Sequence, residues 1–354
     1  MFQEAKAEKA SDVEAVLDEV RIEISANDDD LRETRKRRDL VRDAAESFVG
    51  VLRTFNSGSV AHGTANNPVD DADGGAVLNR VSYPDLGPDS DEEGGPDDLM
   101  REMRDHVMAI VRKDYPKARS RLTKRAILIE FHKPNSDGVD PSVDLVVALT
   151  RKDAVGLWIP NRDRDEWNAS HPEEHTRLLV AKPKGLRVLR ARVIRLSKAA
   201  IKKDSTPALI SFNVEALALK IVDDENEGLA EALQRFFDVA ADEIKARYTE
   251  DPAGVSGRIK LPEGMTRSRS SRRLRFFADK VQEAIDAESR EDAEAALAEL
   301  YPDELPGTPK SSKKSLAEAL NAGDEKRVRT AASVAPAAAF KPGMRSHGDD
   351  PDAA

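Results

Sequence analysis

The stretch Gly58-Ser59-Val60-Ala61-His62-Gly63-Thr64-Ala65, followed by Asp71-Ala72-Asp73-Gly74-Gly75, decides how this chain folds. Its small residues predict a tight Gly58-Ser59 turn that leads into a helix N-terminus, where exposed backbone N–H groups suit phosphate. The Asp-x-Asp pair begins a predicted strand. Because side chains alternate along a strand, Asp71 and Asp73 share one face of it.

A third carboxylate, Asp144, lies inside the apolar strand Ser142-Val143-Asp144-Leu145-Val146-Val147. A lone carboxylate among aliphatic side chains needs a partner or a metal ion. Two carboxylates as close as Asp71 and Asp73 repel each other unless a cation lies between them. An Asp-x-Asp pair alone is more often a loop. Together with the turn and the third carboxylate, it predicts phosphoryl or nucleotidyl transfer on two metal ions.

The composition limits the other classes of protein. The chain has 354 residues, with 56 basic and 66 acidic side chains and a net charge of −10. The acidic balance argues against a protein that coats nucleic acid, although it leaves room for a local basic groove. The chain has no cysteine, which excludes disulfides and thiolate chemistry. The charged N-terminus and the absence of a long apolar run predict a cytoplasmic protein with no membrane partner.

Hydrophobic periodicity divides the chain into three parts, residues 1–170, 171–301 and 302–354. In the first part we predict helices at 11–24, with a Ser11/Glu14 capping box, and at 30–52, then a helix at 99–112. Strands at 126–131 and 142–149 are predicted to form an antiparallel pair. The second part is helical, at 172–181, 186–203, 211–223, 226–248, 270–288 and 290–300. The third part, rich in Pro, Lys, Ser and Ala, is predicted to be largely disordered.

The spacing of Gly58-Ser59, Asp71-Ala72-Asp73 and Asp144 resembles the polymerase-β-type nucleotidyltransferase superfamily. The residues around the turn and the aspartates, together with Trp167–Glu173, Val193–Lys198 and Ser211–Leu217, resemble the bacterial cGAS/DncV-like nucleotidyltransferases, or CD-NTases. This resemblance covers about residues 40–290. It implies an α+β, bilobed fold, with a small mixed or antiparallel sheet in one lobe and helices in the other. The N-terminal helix is expected to span both lobes.

The resemblance also implies site roles and an activity. Asp71, Asp73 and Asp144 would hold two Mg²⁺ ions, for which Mn²⁺ can substitute, and Asp144 would take the proton of the attacking hydroxyl. The donor triphosphate would contact Gly58, Ser59, Lys198 and Ser211. The enzyme would be a nucleotidyltransferase that makes cyclic di- or oligonucleotides from ATP and/or other NTPs in anti-phage defence. Its partners would be regulatory or effector proteins of a defence operon, and it would act as a monomer.

Alternatives remain open at this stage. Lys198 lies among many basic residues and also fits a solvated helix face, Ser211 also fits a simple N-cap, and His62 is either structural or faces the nucleotide. The basic cluster Arg258–Arg275 is either a solvated face or a groove. The activity could instead modify a tRNA, a protein or a small molecule, although the acidic net charge makes nucleic acid an unfavoured substrate. A non-catalytic nucleotide-binding scaffold would be expected to lack one of the three carboxylates.

Overall fold

The computed structural model describes residues 2–305, apart from residues 89, 91–93, 136–137, 153, 182 and 204. The helices within them are α1 (Phe2–Glu23), α2 (Asp28–Glu46), α3 (Gly58–His62), α4 (Asp97–Asp114), α5 (Pro172–Val180), α6 (Lys184–Lys202), α7 (Ser211–Ile221), α8 (Leu229–Ala246), α9 (Arg267–Asp286) and α10 (Arg290–Ala298). The strands are β1 (Val51–Ser57), β2 (Asp71–Leu78), β3 (Arg119–Leu122), β4 (Ile127–Glu130), β5 (Ser142–Thr150), β6 (Leu157–Asn161) and β7 (Glu166–Ser170). The predicted disordered segment beyond residue 305 lies outside the described residues.

The described strands form one mixed sheet in the order β1-β2-β5-β4-β3, and β6 joins β5 to β7. β2 and β5 run parallel, and the remaining pairs are antiparallel. A parallel pair needs a long crossover connection, and α4 lies within the one between β2 and β5. The predicted antiparallel pair is present as β4 and β5. The α+β fold class is therefore confirmed.

The two faces of this sheet are covered differently. One face packs on α2 and α4 through a core that includes Val41, Met103 and Val147. The opposite face carries a smaller apolar cluster, which includes Phe55, Val77 and Val146. Side chains alternate between the faces of a strand. The odd-numbered residues of β2 and the even-numbered residues of β5 therefore lie on the face opposite α2 and α4.

A second core lies among the helices α6 to α10, where residues such as Phe236, Phe237 and Phe277 are fully buried. The first helix belongs to this core, since Val13, Leu17 and other residues of its apolar stripe are buried there. This differs from the predicted division, which placed α1 in the catalytic part of the chain. The reason is that the apolar stripe of α1 meets faces of α8, α9 and α10 that are distant in sequence.

Three predicted boundaries differ from the structure. α1 begins at Phe2 rather than at Ser11, and the Glu14 carboxylate accepts the backbone N–H of Ala230 instead of closing a capping box. The predicted helix at 30–52 ends at Glu46, because Gly50 adopts a φ of 84° and the chain turns into β1. Leu305 is 1% exposed in the helical core, so the packed chain extends past residue 301.

Candidate active site

Gly58 and Ser59 are the first two residues of α3, which begins directly after β1 ends at Ser57. Gly58 has a φ of 72°, in the left-handed region that glycine tolerates best. A Cβ atom at this position would overlap the carboxylate of Asp73. Position 58 thus requires glycine for two reasons, the backbone conformation and the close approach of Asp73. The turn therefore packs directly against the Asp73 side chain.

The three aspartates predicted to be catalytic lie on one face of the sheet. Asp73 lies directly opposite Asp144 in the parallel register of β2 and β5, and Asp71 lies opposite Ser142. Paired residues on adjacent strands are about 4.8 Å apart and point to the same side. Asp144 is buried, with 4% of its surface exposed, whereas Asp71 and Asp73 are partly exposed. All three carboxylates face away from α2 and α4.

A fourth acidic residue, Asp70, precedes them. Burial raises the pKa of Asp70, the charge of Lys202 at the end of α6 lowers it, and the neighbouring Asp71 raises it again. Burial of the carboxyl group is the largest of these causes, and the like charge of Asp71 makes the smallest contribution.

The donor set fits a hard divalent cation, because it consists of carboxylate oxygens on one face of the sheet. Across residues 2–305, outside the gaps given above, no three His, Asp or Glu side chains are gathered closely enough to hold an ion. The backbone register therefore brings the three aspartates to one place, and a metal ion would have to draw their carboxylates together. Which residues bind metal stays a prediction.

Lys198 contacts the catalytic lobe through a buried polar cluster. Its Nζ atom donates to Glu215 Oε1 at 2.7 Å and to Thr64 Oγ1 at 3.3 Å. The Thr64 hydroxyl also donates to Glu215 Oε1, at 2.8 Å. His62 Nδ1 lies 3.2 Å from Glu215 Oε2, and His62 Nε2 lies 3.0 Å from Thr176 Oγ1. The cluster thus joins the segment after α3 to α5, α6 and α7.

These contacts give Lys198 a defined environment. Its side chain is 13% exposed and that of Glu215 is 9% exposed, so the alternative of a solvated helix face is wrong for Lys198. Burial alone would raise the pKa of Glu215, but the charge of Lys198 and the hydrogen bond to His62 hold it well below its ordinary value. Glu215 is therefore a buried carboxylate anion. The sequence analysis did not assign Glu215 a role, although it is the one acidic residue within the apolar stretch 214–219 of α7.

Ser211 is the first residue of α7, and the N-cap is Ile210, so the alternative of a simple N-cap is wrong. The Asn213 side chain performs part of the capping, because its Oδ1 atom accepts the backbone N–H of Ile210 at 3.3 Å. The Ser211 side chain is exposed. It is thus free to contact a ligand at the start of α7, and its predicted triphosphate role stays a prediction.

A second polar pair, His175 with Asp251, lies beside the start of α7, and the sequence analysis did not identify it. His175 Nε2 is 2.6 Å from Asp251 Oδ1, and the His175 ring packs against Phe212 with 4.8 Å between ring centroids. Burial would raise the pKa of Asp251, but hydrogen bonds from His175 and from backbone N–H groups, including that of Ser256, hold it far below its usual range. The signal in the sequence was Asp251-Pro252-Ala253-Gly254, which is typical of an Asx turn.

The comparisons with known proteins indicate a nucleotidyltransferase. Residues 9–182 match the family model for the Second Messenger Oligonucleotide or Dinucleotide Synthetase domain. Residues 9–182 therefore form a domain of this kind, in agreement with the resemblance to the CD-NTases, and the domain indicates the synthesis of cyclic oligonucleotides as the class of activity. A comparison with curated protein sequences gave no significant match.

Solved structures with the same fold come from several bacteria. CdnC of E. coli MS115-1, solved with ATP, has a TM-score of 0.60 and 17% identity, over 82% of this chain and 98% of its own. CdnG of Bradyrhizobium diazoefficiens, a CD-NTase in complex with GTP, has a TM-score of 0.59 and 16% identity, over 82% of this chain and 95% of its own. The cyclic AMP-GMP synthase DncV of Vibrio cholerae, in complex with a linear intermediate, has a TM-score of 0.52 and 12% identity, over 87% and 91% of the two chains.

None of the helices in the described part of the chain combines the length and the apolar character that crossing a bilayer requires.

Proposed function

We propose that this protein joins NTPs into a cyclic di- or oligonucleotide by nucleotidyl transfer on two metal ions. The observation that carries the proposal is the register of β2 and β5, which sets Asp73 opposite Asp144, with Gly58 closed against the Asp73 carboxylate. This arrangement combines three oxygen ligands with a turn that a phosphate chain can approach. Catalysis on such a site consists mainly of positioning and charge stabilisation.

In this proposal Asp71, Asp73 and Asp144 hold two Mg²⁺ ions, for which Mn²⁺ substitutes. When bound there, such ions would offset the charge of the triphosphate and would lower the pKa of the attacking ribose hydroxyl. Asp144, the most buried of the three, accepts the proton of that hydroxyl. The hydroxyl oxygen then forms a bond to the α-phosphorus of the donor, and the bond to pyrophosphate breaks. A second transfer in the same site closes the ring.

The donor triphosphate is held in this proposal by Gly58 and Ser59 on one side and by Lys198 and Ser211 on the other. Two observations support this division. Lys198 is held beside Thr64 of the catalytic lobe, and Ser211 is exposed at the start of α7. The triphosphate would thus bridge the sheet lobe and the helical lobe. Glu215, whose carboxylate accepts a hydrogen bond from Lys198, acts as a residue that positions the lysine.

The biological setting that we propose is cytoplasmic anti-phage signalling, in which a monomeric enzyme responds to a regulatory protein of a defence operon. Support for a regulatory partner comes from CdnC of E. coli MS115-1, which has also been solved in a complex with HORMA-deltaN. Nucleic acid is not proposed as a substrate. The main competing function is transfer of a single nucleotide to an acceptor molecule.

The test is to incubate the purified full-length protein with all four NTPs and Mg²⁺ or Mn²⁺, to treat the products with phosphatase, and to identify them by mass spectrometry. We expect pyrophosphate release and a phosphatase-resistant product, because a ring has no terminal phosphate. The matched control carries Asp71→Ala with Asp73→Ala. A wild-type preparation that labels tRNA or protein with one nucleotide, and never forms a ring, would overturn the proposal.

A further inference from the structure

One face of α9 carries a stripe of cations and an aromatic ring. Arg269, Arg272, Arg273 and Phe276 follow the spacing i, i+3, i+4, i+7, which places them together on one side of a helix. With Lys203, which follows α6, and the buried Phe277, they line a cavity of about 320 Å³. We call this cavity the α9 pocket. Part of the basic cluster Arg258–Arg275 therefore lines a concave site.

The α9 pocket concentrates positive charge in an acidic protein. Four of its six lining residues are cationic and none is acidic, whereas the whole chain has a net charge of −10. Two other cations of α9 are ion-paired: Arg275 with Asp238 and Asp242, and Lys280 with Glu283 and Glu299. A concave patch of one sign attracts an anion of the opposite sign.

The wall of the pocket is anchored to the connection between α6 and α7. The Arg273 guanidinium donates to the carbonyl of Thr206, and the Ser270 hydroxyl donates to the carbonyl of Ala208 at 2.8 Å. Phe276 lines the same pocket, and 40% of its surface is exposed. An exposed aromatic ring among arginines is the combination on which nucleobases stack beside their phosphates.

The α9 pocket is separate from the proposed triphosphate site. Lys203 follows Lys198 by five residues, and at 3.6 residues per turn the two positions differ by about 140° around the axis of α6. Lys198 faces Thr64 and Glu215, whereas Lys203 faces α9. Lys202, the last residue of α6, acts through its charge on Asp70, which directly precedes β2. The pocket therefore lies near the same end of α6 as the carboxylates, but on a different side of the helix axis.

We propose that the α9 pocket binds a nucleoside phosphate as a second ligand. Arginine side chains hold the phosphate through paired N–H donors, and the Phe276 ring stacks on the base. A volume of about 320 Å³ is at the lower end for ligand pockets and suits about one nucleotide. The bound nucleoside phosphate is either a free nucleotide or one nucleotide of a single-stranded nucleic acid, because both present the same base and phosphate. The experiment below distinguishes these two ligands.

The test measures binding by fluorescence anisotropy on the full-length protein, in EDTA, so that binding that depends on a metal ion is suppressed. The probes are ATP carrying a methylanthraniloyl group and a fluorescein-labelled strand of eight deoxyadenosines. The variants are Arg269→Ala with Arg272→Ala, and Phe276→Leu. The control is Arg275→Ala, which removes one positive charge from the ion-paired side of α9. Thermal melting checks that each variant is folded.

We expect the double arginine variant to weaken binding at least tenfold, Phe276→Leu to weaken it several-fold, and Arg275→Ala to leave it within twofold. For the strand, losing two phosphate contacts should reduce the slope of log K against log salt by about 1.4. Tighter binding of labelled ATP identifies a free nucleotide as the source, and tighter binding of the strand identifies a nucleic acid. The proposal is overturned if neither probe binds the wild-type protein, or if Arg275→Ala weakens binding as much as the double variant.

NTP turnover measured in parallel separates this proposal from the proposed function. Binding that depends on the α9 pocket, without any turnover, would contradict the proposed function alone. Turnover without such binding would contradict the α9 pocket alone.

Discussion

Lys198 Nζ lies 2.7 Å from Glu215 Oε1, so the lysine proposed to contact the donor triphosphate is paired in the protein itself. The same carboxylate accepts a hydrogen bond from Thr64 and contacts His62. Glu215 therefore orients Lys198 and ties the loop after α3 to the helical lobe. A triphosphate that binds Lys198 adds its oxygens to an already fixed ammonium group, which reduces the entropy lost on binding.

Lys198→Ala is predicted to raise the NTP concentration needed for half-maximal turnover about tenfold or more, while affecting metal binding less. It should also lower the free energy of unfolding by about 3 kcal/mol, because Glu215 is left as a buried carboxylate without its cation. Steady-state kinetics and urea unfolding measure the two effects. A variant with an unchanged half-saturating concentration would contradict the triphosphate role, and Lys198→Arg serves as the charge-conserving control.

Glu215→Gln is predicted to make the stability of the protein less dependent on acid pH. The pKa of Glu215 is lowered from its ordinary 4.5 by Lys198 and His62 against the effect of burial. A lowered pKa contributes stability that is fully present above 4.5 and is lost as the pH falls towards the folded-state pKa. Wild type and variant should therefore differ most above pH 4.5 and approach each other only as the pH falls far below 4.5, towards the folded-state pKa. Urea unfolding across this range tests it, and a pH-independent difference would contradict it.

Asp71→Ala combined with Asp73→Ala is predicted to abolish product formation and to leave the fold intact. Removing adjacent carboxylates relieves their repulsion, so the melting temperature without metal should hold or rise. In the wild type, Mg²⁺ or Mn²⁺ should raise the melting temperature, and in the variant this shift should disappear. Asp105→Ala with Asp114→Ala, on the exposed side of α4, removes the same charge as a control. Wild-type turnover by the first variant would contradict the metal assignment.

Gly58→Ala is predicted to reduce turnover strongly, because its Cβ atom would displace the Asp73 carboxylate. Gly63→Ala is the matched control, since Gly63 has the same φ of 72° but nothing within 4 Å of its Cβ position. Both substitutions should cost about 1 kcal/mol of stability through the left-handed backbone. Equal effects on turnover would show that backbone strain, rather than contact with Asp73, decides activity.

Deleting residues 307–354 is predicted to leave NTP turnover nearly unchanged. This segment lies outside the described residues, and the prediction depends on its low apolar content. Truncation after residue 299 should instead destabilise the protein, because Tyr301 and Leu305 are buried in the helical core. Melting temperature and turnover of the two truncated proteins distinguish these outcomes. A loss of turnover in the shorter deletion would assign a function to the tail.

The amino-acid sequence by itself determined which residues are available for chemistry and where the regular elements occur. The Gly58-Ser59 turn, the Asp71–Asp73 alternation and the helices after residue 172 follow from local properties, namely backbone preference and periodicity over a few residues. The same reasoning failed near residue 50, where the apolar spacing of α2 runs on into β1 and the turn at Gly50 decides the outcome.

The tertiary structure alone decided which of these residues meet. The register that sets Asp73 opposite Asp144, the burial of Glu215 against Lys198, and the position of α1 in the helical core join segments far apart in the chain. The α9 pocket likewise needs Lys203 from one element and Arg272 from another. The physical reason is that periodicity defines a face of an element, whereas the partner of that face depends on packing and charge compensation across the whole fold.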